Sequence, residues 1–274
     1  MTSEAEAETD IRTLADPLQE SLRIVDAAEA RGLRVRLIGG MAVRAHAPGW
    51  TARTRRTEVD LDFVAASRDR ASLYAMLEEE GYTPDRRHNA LFRHQGYFVD
   101  APRNRPVDVL FDRLDMCHRI EFAERLAAAS PTLPLAELLL SKLQVVKINR
   151  KDILDAMILL AEHPLGPDDG APDARHGLAT FNVPRIVALT SSDWGWWRTV
   201  TGNLEKLASH LATEHTPEDV DLDNGRSVLF DPATQVAALQ TAIAEAPKST
   251  RWRLRARIGE RQPWYREPEE MGHD

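Results

Sequence analysis

Apolar and polar residues alternate along the chain with two spacings, one typical of helices and one typical of strands. Residues 15–31 place apolar side chains at the helical spacing, and Gly32 follows as a residue that tolerates the backbone conformation of a helix end. Residues 33–40 alternate apolar and basic side chains and run into Gly39 and Gly40, which is typical of a half-exposed strand. The pattern therefore predicts a helix, then a strand that leads into a glycine turn.

The same two spacings continue through the next 70 or so residues of the sequence. Residues 41–47 predict a second helix, and residues 67–82 predict another helix that Gly81 ends. Strands are predicted at residues 57–65, 90–94, 96–100 and 105–112. Because helices lie between the strands in this order, the sequence favours an α/β or α+β fold whose core is built around a mixed sheet.

The pattern becomes helical in the second half of the chain. Residues 133–147 form a strongly apolar helical stretch, and Asn149 can cap a second helix at residues 150–163. Residues 164–177 are rich in Pro, Gly and Asp, which predicts a linker or long loop. The expected domains are a core with its trailing helices at residues 1–165 and a mainly helical C-terminal domain at residues 176–274.

The composition is that of an ordinary soluble globular protein, since 43% of the 274 residues are apolar and 28% are charged. No apolar run reaches the roughly 18–20 residues of a membrane helix, and the acidic N-terminus does not resemble a signal peptide. Cys117 is the single cysteine, which fits a reducing compartment, so we expect a cytoplasmic protein without a membrane partner. The net charge of −8 means that any surface for nucleic acid has to be local.

Two aspartates lie two positions apart in the strand predicted at residues 57–65. On a strand, Asp60 and Asp62 project from one face, and their apolar neighbours project from the other face into a core. Two carboxylates side by side repel each other unless a cation lies between them, and Mg²⁺ prefers carboxylate oxygen. A solvated strand face with two unrelated aspartates is the alternative interpretation.

Two further features surround this aspartate pair in the predicted fold. Gly39 and Gly40 end a strand and open a helix, an arrangement that lets backbone N–H groups approach a phosphate closely. Asp108 lies between two valines in a later strand, so its side chain points to the opposite face from both. A third carboxylate on a neighbouring strand is what a two-metal phosphoryl-transfer site requires.

These segments resemble a known superfamily. LIGGMAVRAHA (residues 37–47), RRTEVDLDFVA (residues 55–65) and VDVLF (residues 107–111) are similar to the DNA polymerase β-type nucleotidyltransferases, and especially to AbiEii-type enzymes and MenT-like toxins. The resemblance implies transfer of a nucleotidyl group from an NTP, with two Mg²⁺ ions held by Asp60, Asp62 and Asp108. It also implies that Gly39, Gly40, Arg56 and Lys142 bind the nucleotide.

The resemblance extends to a lysine and an aspartate after the core. In LLLSKLQVVKINRKDILD, Lys142 and Asp152 match the family layout, with Lys147 and Asp155 as rivals for the two roles. Lys142 lies in an otherwise apolar stretch, where it either reaches the triphosphate or extends its charged end to the surface. Asp152 either acts in the site or stabilises the start of the helix that Asn149 caps.

The sequence does not identify the molecule that accepts the nucleotidyl group. The toxin-like relatives suggest RNA (tRNA) or protein as acceptor and an antitoxin as partner, whereas antibiotic-modifying enzymes with the same core suggest a small molecule. A catalytically silent nucleotide-binding or partner-binding module is the third interpretation. Candidate surfaces for RNA are Arg53, Arg55 and Arg56 and the arginines between residues 251 and 261, which would share one face if that stretch were a strand.

Overall fold

A computed structural model of the chain describes residues 12–48, 59–170, 179–213 and 230–267. Its α-helices are α1 (Pro17–Ala30), α2 (Gly39–His46), α3 (Arg70–Glu79), α4 (Arg86–Leu91), α5 (Leu135–Leu143), α6 (Arg150–Glu162), α7 (Val183–Ser192), α8 (Trp194–Thr213), α9 (Pro232–Glu245) and α10 (Thr250–Ile258). Its strands are β1 (Val35–Leu37), β2 (Leu61–Ala65), β3 (Thr83–Pro84), β4 (Gln95–Asp100), β5 (Arg105–Phe111), β6 (Arg113–Asp115), β7 (Arg119–Glu121), β8 (Leu165–Gly166) and β9 (Phe181–Asn182).

The core is a mixed five-stranded sheet with the strand order β1-β2-β5-β4-β3. Strands β2 and β5 are parallel, while the other neighbouring pairs are antiparallel. Side chains of β5 alternate between buried and half-buried, so Val107, Val109 and Phe111 face the core while Asp108 faces the other side. The predicted α/β class with a mixed sheet and a mainly helical C-terminal region is confirmed.

Helices from both halves of the chain share one buried apolar cluster. Helix α2 packs against β2, α5 and α6, and α5 in turn contacts α7 and α8. Residues as far apart as Leu61, Leu139, Leu204 and Leu239 belong to this cluster. The predicted division between residues 165 and 176 stays a prediction, and part of the predicted linker, residues 171–177, lies outside the described residues.

Two predicted strands differ from the structure, and so does the conditional strand that would have placed the C-terminal arginines on one face. Residues 90–94 do not form a strand, because Asp85 caps helix α4 by accepting a hydrogen bond from the backbone N–H of His88, and a turn follows that helix. Strand β2 begins only at Leu61, so Asp60 precedes it and Val59 is exposed rather than buried. Residues 250–258 form helix α10, capped by Ser249, so the arginines there do not share one face.

None of the helices in the described ranges is long and apolar enough to cross a membrane.

Candidate active site

Asp62 and Asp108 lie directly beside each other on the two parallel strands at the centre of the sheet. Asp62 of β2 and Asp108 of β5 are partners in the strand register, and both side chains are half-buried. Residues paired in this way project from the same face of a sheet. Asp60 lies just before β2 and is exposed. The strand pairing therefore brings two carboxylates together that are 46 residues apart in the sequence (108 − 62).

The carboxylates affect each other electrostatically. Burial, together with the negative charges of Asp108 and Asp60, raises the pKa of Asp62 to about 7, while Lys142 and Lys151 act in the opposite direction. Like charges held together in a half-buried position disfavour ionisation. Cations brought to this face would relieve the repulsion, and the carboxylate oxygens present are the donors that Mg²⁺ prefers.

Gly39 makes room for the carboxylate of Asp62. Its backbone has a φ of 68°, and a Cβ at this position would overlap the Oδ2 atom of Asp62. The backbone N–H of Ile38 donates to the carbonyl oxygen of Asp62 at 3.1 Å, which ties the start of α2 to β2. The N-terminus of α2, formed by Gly39 and Gly40, thus lies beside the carboxylate of Asp62, at the end of the helix that carries a partial positive charge.

The site also includes Gln95 and Tyr97 of β4, two residues that the sequence patterns do not reveal. The side-chain amide of Gln95 donates from Nε2 to Oδ1 of Asp108 at 2.8 Å. Tyr97 is the register partner of Asp108, and burial together with Asp108 and Asp60 raises the pKa of its phenol. These contacts depend on the antiparallel register of β4 and β5, and no local motif around residues 95–97 indicates that register.

Lys142 is held inside the structure by two carboxylates. Its Nζ atom lies 2.9 Å from Oδ1 of Asp152 and 2.9 Å from Oδ2 of Asp155. Asp155 is fully buried, and only 12% of the Lys142 side chain is exposed, so this lysine does not extend to the surface. The backbone N–H of Asp152 also donates to the capping side chain of Asn149, so the helix-start role of Asp152 and its ion pair coexist. The rival Lys147 lies exposed beyond the end of α5.

A residue of helix α8 caps the C-terminal end of α5, next to Lys142. The side-chain amide of Asn203 donates to the backbone carbonyl oxygens of Leu143 and Val145, both at 2.8 Å. The last carbonyl groups of a helix lack partners within the helix and need them from elsewhere. The C-terminal region thereby fixes the turn that carries Lys142.

Some residues that were expected in the site either fall outside the described residues or make other contacts. Arg56 and its neighbours Arg53 and Arg55 fall outside the described residues. In α10, Arg255 donates to the backbone oxygens of the turn that follows and lies over the ring of Trp194, with its guanidinium carbon 4.8 Å from the ring centroid. It therefore holds the C-terminal segment in place instead of presenting a free charge.

Across the described ranges, no group of three or more His, Cys, Asp or Glu side chains is gathered closely enough to hold a metal ion. Asp60, Asp62 and Asp108 are therefore near enough to interact electrostatically without forming a ready three-ligand cage. A cavity of about 590 Å³ lies at the other end of α2, between α1 and His46, and none of the three aspartates lines it. Its wall reaches Pro48, next to residues outside the described ranges, and we assign it no role.

Comparison with known proteins gives a low structural similarity and no sequence match. No family model matches the chain, and no curated protein matches it. The solution structure of the antibiotic-resistance factor ANT(2″)-Ia is similar over 52% of this chain and 80% of that one, with 14% sequence identity and a TM-score of 0.36. At that TM-score the similarity carries no argument about function, so the site has to be interpreted from its own residues.

Proposed function

We propose that the protein is a nucleotidyltransferase that moves a nucleotidyl group from an NTP to an acceptor hydroxyl. The observation that supports this is the pairing of Asp62 with Asp108 on adjacent parallel strands, directly against the helix N-terminus that Gly39 opens. Carboxylates that bind cations and backbone N–H groups that bind phosphate are the two elements that phosphoryl transfer requires.

The reaction exchanges a phosphoanhydride bond for a phosphoester bond. The acceptor oxygen forms a bond to the α-phosphorus, the bond from that phosphorus to pyrophosphate breaks, and the hydroxyl proton is lost to a base or to water. Asp62 and Asp108, with Asp60 beside them, would hold two Mg²⁺ ions. When bound, Mg²⁺ supplies a lowered pKa for the acceptor hydroxyl and compensation for phosphate charge.

The remaining side chains would position the triphosphate. Lys142 and Lys151 are cations close enough to oppose the rise in the pKa of Asp62, so they lie near the carboxylates. Asp152 and Asp155 orient the ammonium group of Lys142. The N–H groups of Gly39 and Gly40 would contact phosphate oxygens, and Arg56 would add a further cation. A fixed cation offsets charge on the pyrophosphate as it leaves.

Two versions of this proposal differ in the molecule whose hydroxyl accepts the nucleotidyl group. A small-molecule acceptor is the version that antibiotic-modifying enzymes of the same superfamily suggest, and a polymeric acceptor is the version that the toxin-like sequence resemblance implies. The AbiEii-like subgroup and an antitoxin partner rest on the sequence resemblance alone. Both versions share the same first step, so that step can be tested before the acceptor is known.

Incubation with α-labelled and γ-labelled NTPs tests the proposal. We expect Mg²⁺-dependent release of labelled pyrophosphate from γ-labelled NTP, and transfer of label from α-labelled NTP to RNA, protein or an aminoglycoside offered in parallel reactions. Asp108→Asn is the matched control and should remove both signals. NTP binding without pyrophosphate release in the presence of every acceptor would instead show a silent nucleotide-binding module.

Gln95 should set the metal affinity of the site through Asp108. Gln95→Met keeps the length of the side chain but removes the N–H group that orients the Asp108 carboxylate. Because partners of metal ligands typically contribute 10-fold to 100-fold in affinity, we expect Mn²⁺ binding, followed by electron paramagnetic resonance, to weaken by about tenfold. Gln240→Met, on α9, is the control and should bind Mn²⁺ normally. Equal Mn²⁺ affinity in the two variants would show that Gln95 does not position Asp108.

A further inference from the structure

A basic and partly apolar surface borders the candidate site on the β4 side. It consists of helix α4 and the turn after it, residues 86–94, and is called the α4 surface below. Leu91 is 67% exposed and Phe92 is 39% exposed. Large apolar side chains grouped at a surface mark places where another molecule binds. The other exposed side chains of this surface are Arg86, Arg87, Ala90, Arg93 and His94.

The α4 surface has an excess of positive charge. Arg86 pairs with Glu78 at 3.3 Å, whereas Arg87 and Arg93 have no hydrogen-bond or ion-pair partner among residues 12–48, 59–170, 179–213 and 230–267. The carboxylate of Asp85 accepts the backbone N–H that begins α4. Two exposed guanidinium groups therefore remain for a ligand, on a protein whose net charge is −8.

A chain of contacts joins this surface to the carboxylates. The rings of Phe92 and His88 lie 4.4 Å apart, and those of His88 and Tyr97 lie 5.8 Å apart, measured between centroids. Tyr97 is in turn the register partner of Asp108. Asn89 fixes the geometry, because its side chain donates to the backbone oxygen of Tyr97 at 3.1 Å and accepts from its N–H at 2.7 Å.

We propose that the α4 surface binds a single-stranded polynucleotide whose terminal hydroxyl is the acceptor, an inference that rests on the proposed nucleotidyl transfer. Arg87 and Arg93 contact backbone phosphates, and a base stacks on Phe92. The row of rings from Phe92 to Tyr97 leads the strand end toward Asp108. There the terminal oxygen loses its proton and bonds to the α-phosphorus while the bond to pyrophosphate breaks.

The combination of groups favours this ligand over the others. An aminoglycoside is itself cationic and would be repelled by Arg87 and Arg93. An acidic protein segment would use the arginines but has no need of an aromatic ring beside them. A polynucleotide carries both an anionic backbone and flat bases, so it makes use of Phe92 as well as the charges.

Strand binding can be measured without NTP. Fluorescein-labelled single-stranded RNA and DNA 12-mers are titrated with the full chain, and anisotropy is followed at several salt concentrations. For Arg87→Glu/Arg93→Glu we expect at least a tenfold loss of affinity at low salt and a salt slope that falls by about two, one for each lost phosphate contact. For Phe92→Ala we expect about a tenfold loss with an unchanged salt slope, because stacking is not ionic.

The matched control reverses two exposed arginines elsewhere. Arg34→Glu/Arg119→Glu, at exposed positions outside the α4 surface, changes the net charge equally and should leave strand binding within about twofold of the unmodified protein. Equal losses in the two double variants, or no binding of either 12-mer, would overturn the inference and turn attention to a small-molecule or protein acceptor. Thermal melting of each variant verifies folding. Pyrophosphate release in the presence of the other acceptors reports on the transferase proposal separately.

Discussion

Asp62→Asn is expected to abolish nucleotidyl transfer and to leave the metal-free protein more stable than before. Activity should fall to background because the amide cannot replace a carboxylate as a ligand for Mg²⁺. Stability should rise because burial, together with the charges of Asp108 and Asp60, raises the pKa of Asp62 to about 7. The neutral amide has the shape of the carboxylate without its charge, so the fold around Gly39 is preserved.

The stability effect depends on pH in a definite direction. A carboxyl group whose pKa is higher in the folded than in the unfolded protein destabilises the fold as it ionises. This cost is absent below the ordinary value of 3.8 and complete above about 7. Thermal unfolding in EDTA should therefore show a gain of about 1–3 kcal/mol for Asp62→Asn at pH 8 and a smaller gain at pH 5.

The control for this prediction is Asp26→Asn, on the exposed side of α1. It should leave activity unchanged and show no such rise in stability between pH 5 and pH 8. Full turnover by Asp62→Asn would remove the carboxylates from the mechanism. A destabilised Asp62→Asn protein at pH 8 would show that the charge of Asp62 is compensated in the folded state.

Lys142→Ala is expected to destabilise the protein by about 3–5 kcal/mol, in the range for removing one partner from a buried ion pair. The structure gives the reason, since the Nζ atom of Lys142 lies between Asp152 and the fully buried Asp155. A lysine that reached the surface or only the triphosphate would change stability little. Urea unfolding at neutral pH measures the effect, and Lys147→Ala, at an exposed position, is the control.

A double variant separates the ion pair from other effects. Asp155→Asn removes the buried charge, so Lys142→Ala/Asp155→Asn should be more stable than the sum of the two single changes implies. Additive losses of unfolding free energy would contradict coupling between these residues. Under the transferase proposal, Lys142→Ala also raises the KM for NTP, so assays should be run at a temperature where the variant is fully folded.

The sequence indicates the centre of the site because its signals are local. Two glycines at a strand end and an aspartate between two valines show their structural positions through a few neighbouring residues. The order of helices and strands likewise predicts the mixed sheet. For Asp62, the alternation of β2 predicts the face of its side chain, and the parallel register with β5 then supplies its neighbour Asp108.

The parts that the sequence misses depend on contacts between distant segments. Gln95 and Tyr97 join the site through strand register, and Lys142 meets Asp155 only because α5 packs on α6. Capping overrides residue type in two further cases. Residues 90–94 have the apolar and aromatic content of a strand, yet the cap at Asp85 starts helix α4, which ends at Leu91 and is followed by a turn. Ser249 likewise starts helix α10 across the alternating arginines.

The amide of Asn203 at the end of α5 bears on how the protein can be shortened. A truncated chain that stops at residue 170 would keep every aspartate of the site and the whole five-stranded sheet. It would lose the two hydrogen bonds that Asn203 makes to Leu143 and Val145, sixty residues earlier in the chain. The turn that carries Lys142 would then unwind from its end. The C-terminal helices therefore support the candidate site from outside the sheet, and a shortened chain has to include them to keep Lys142 in place.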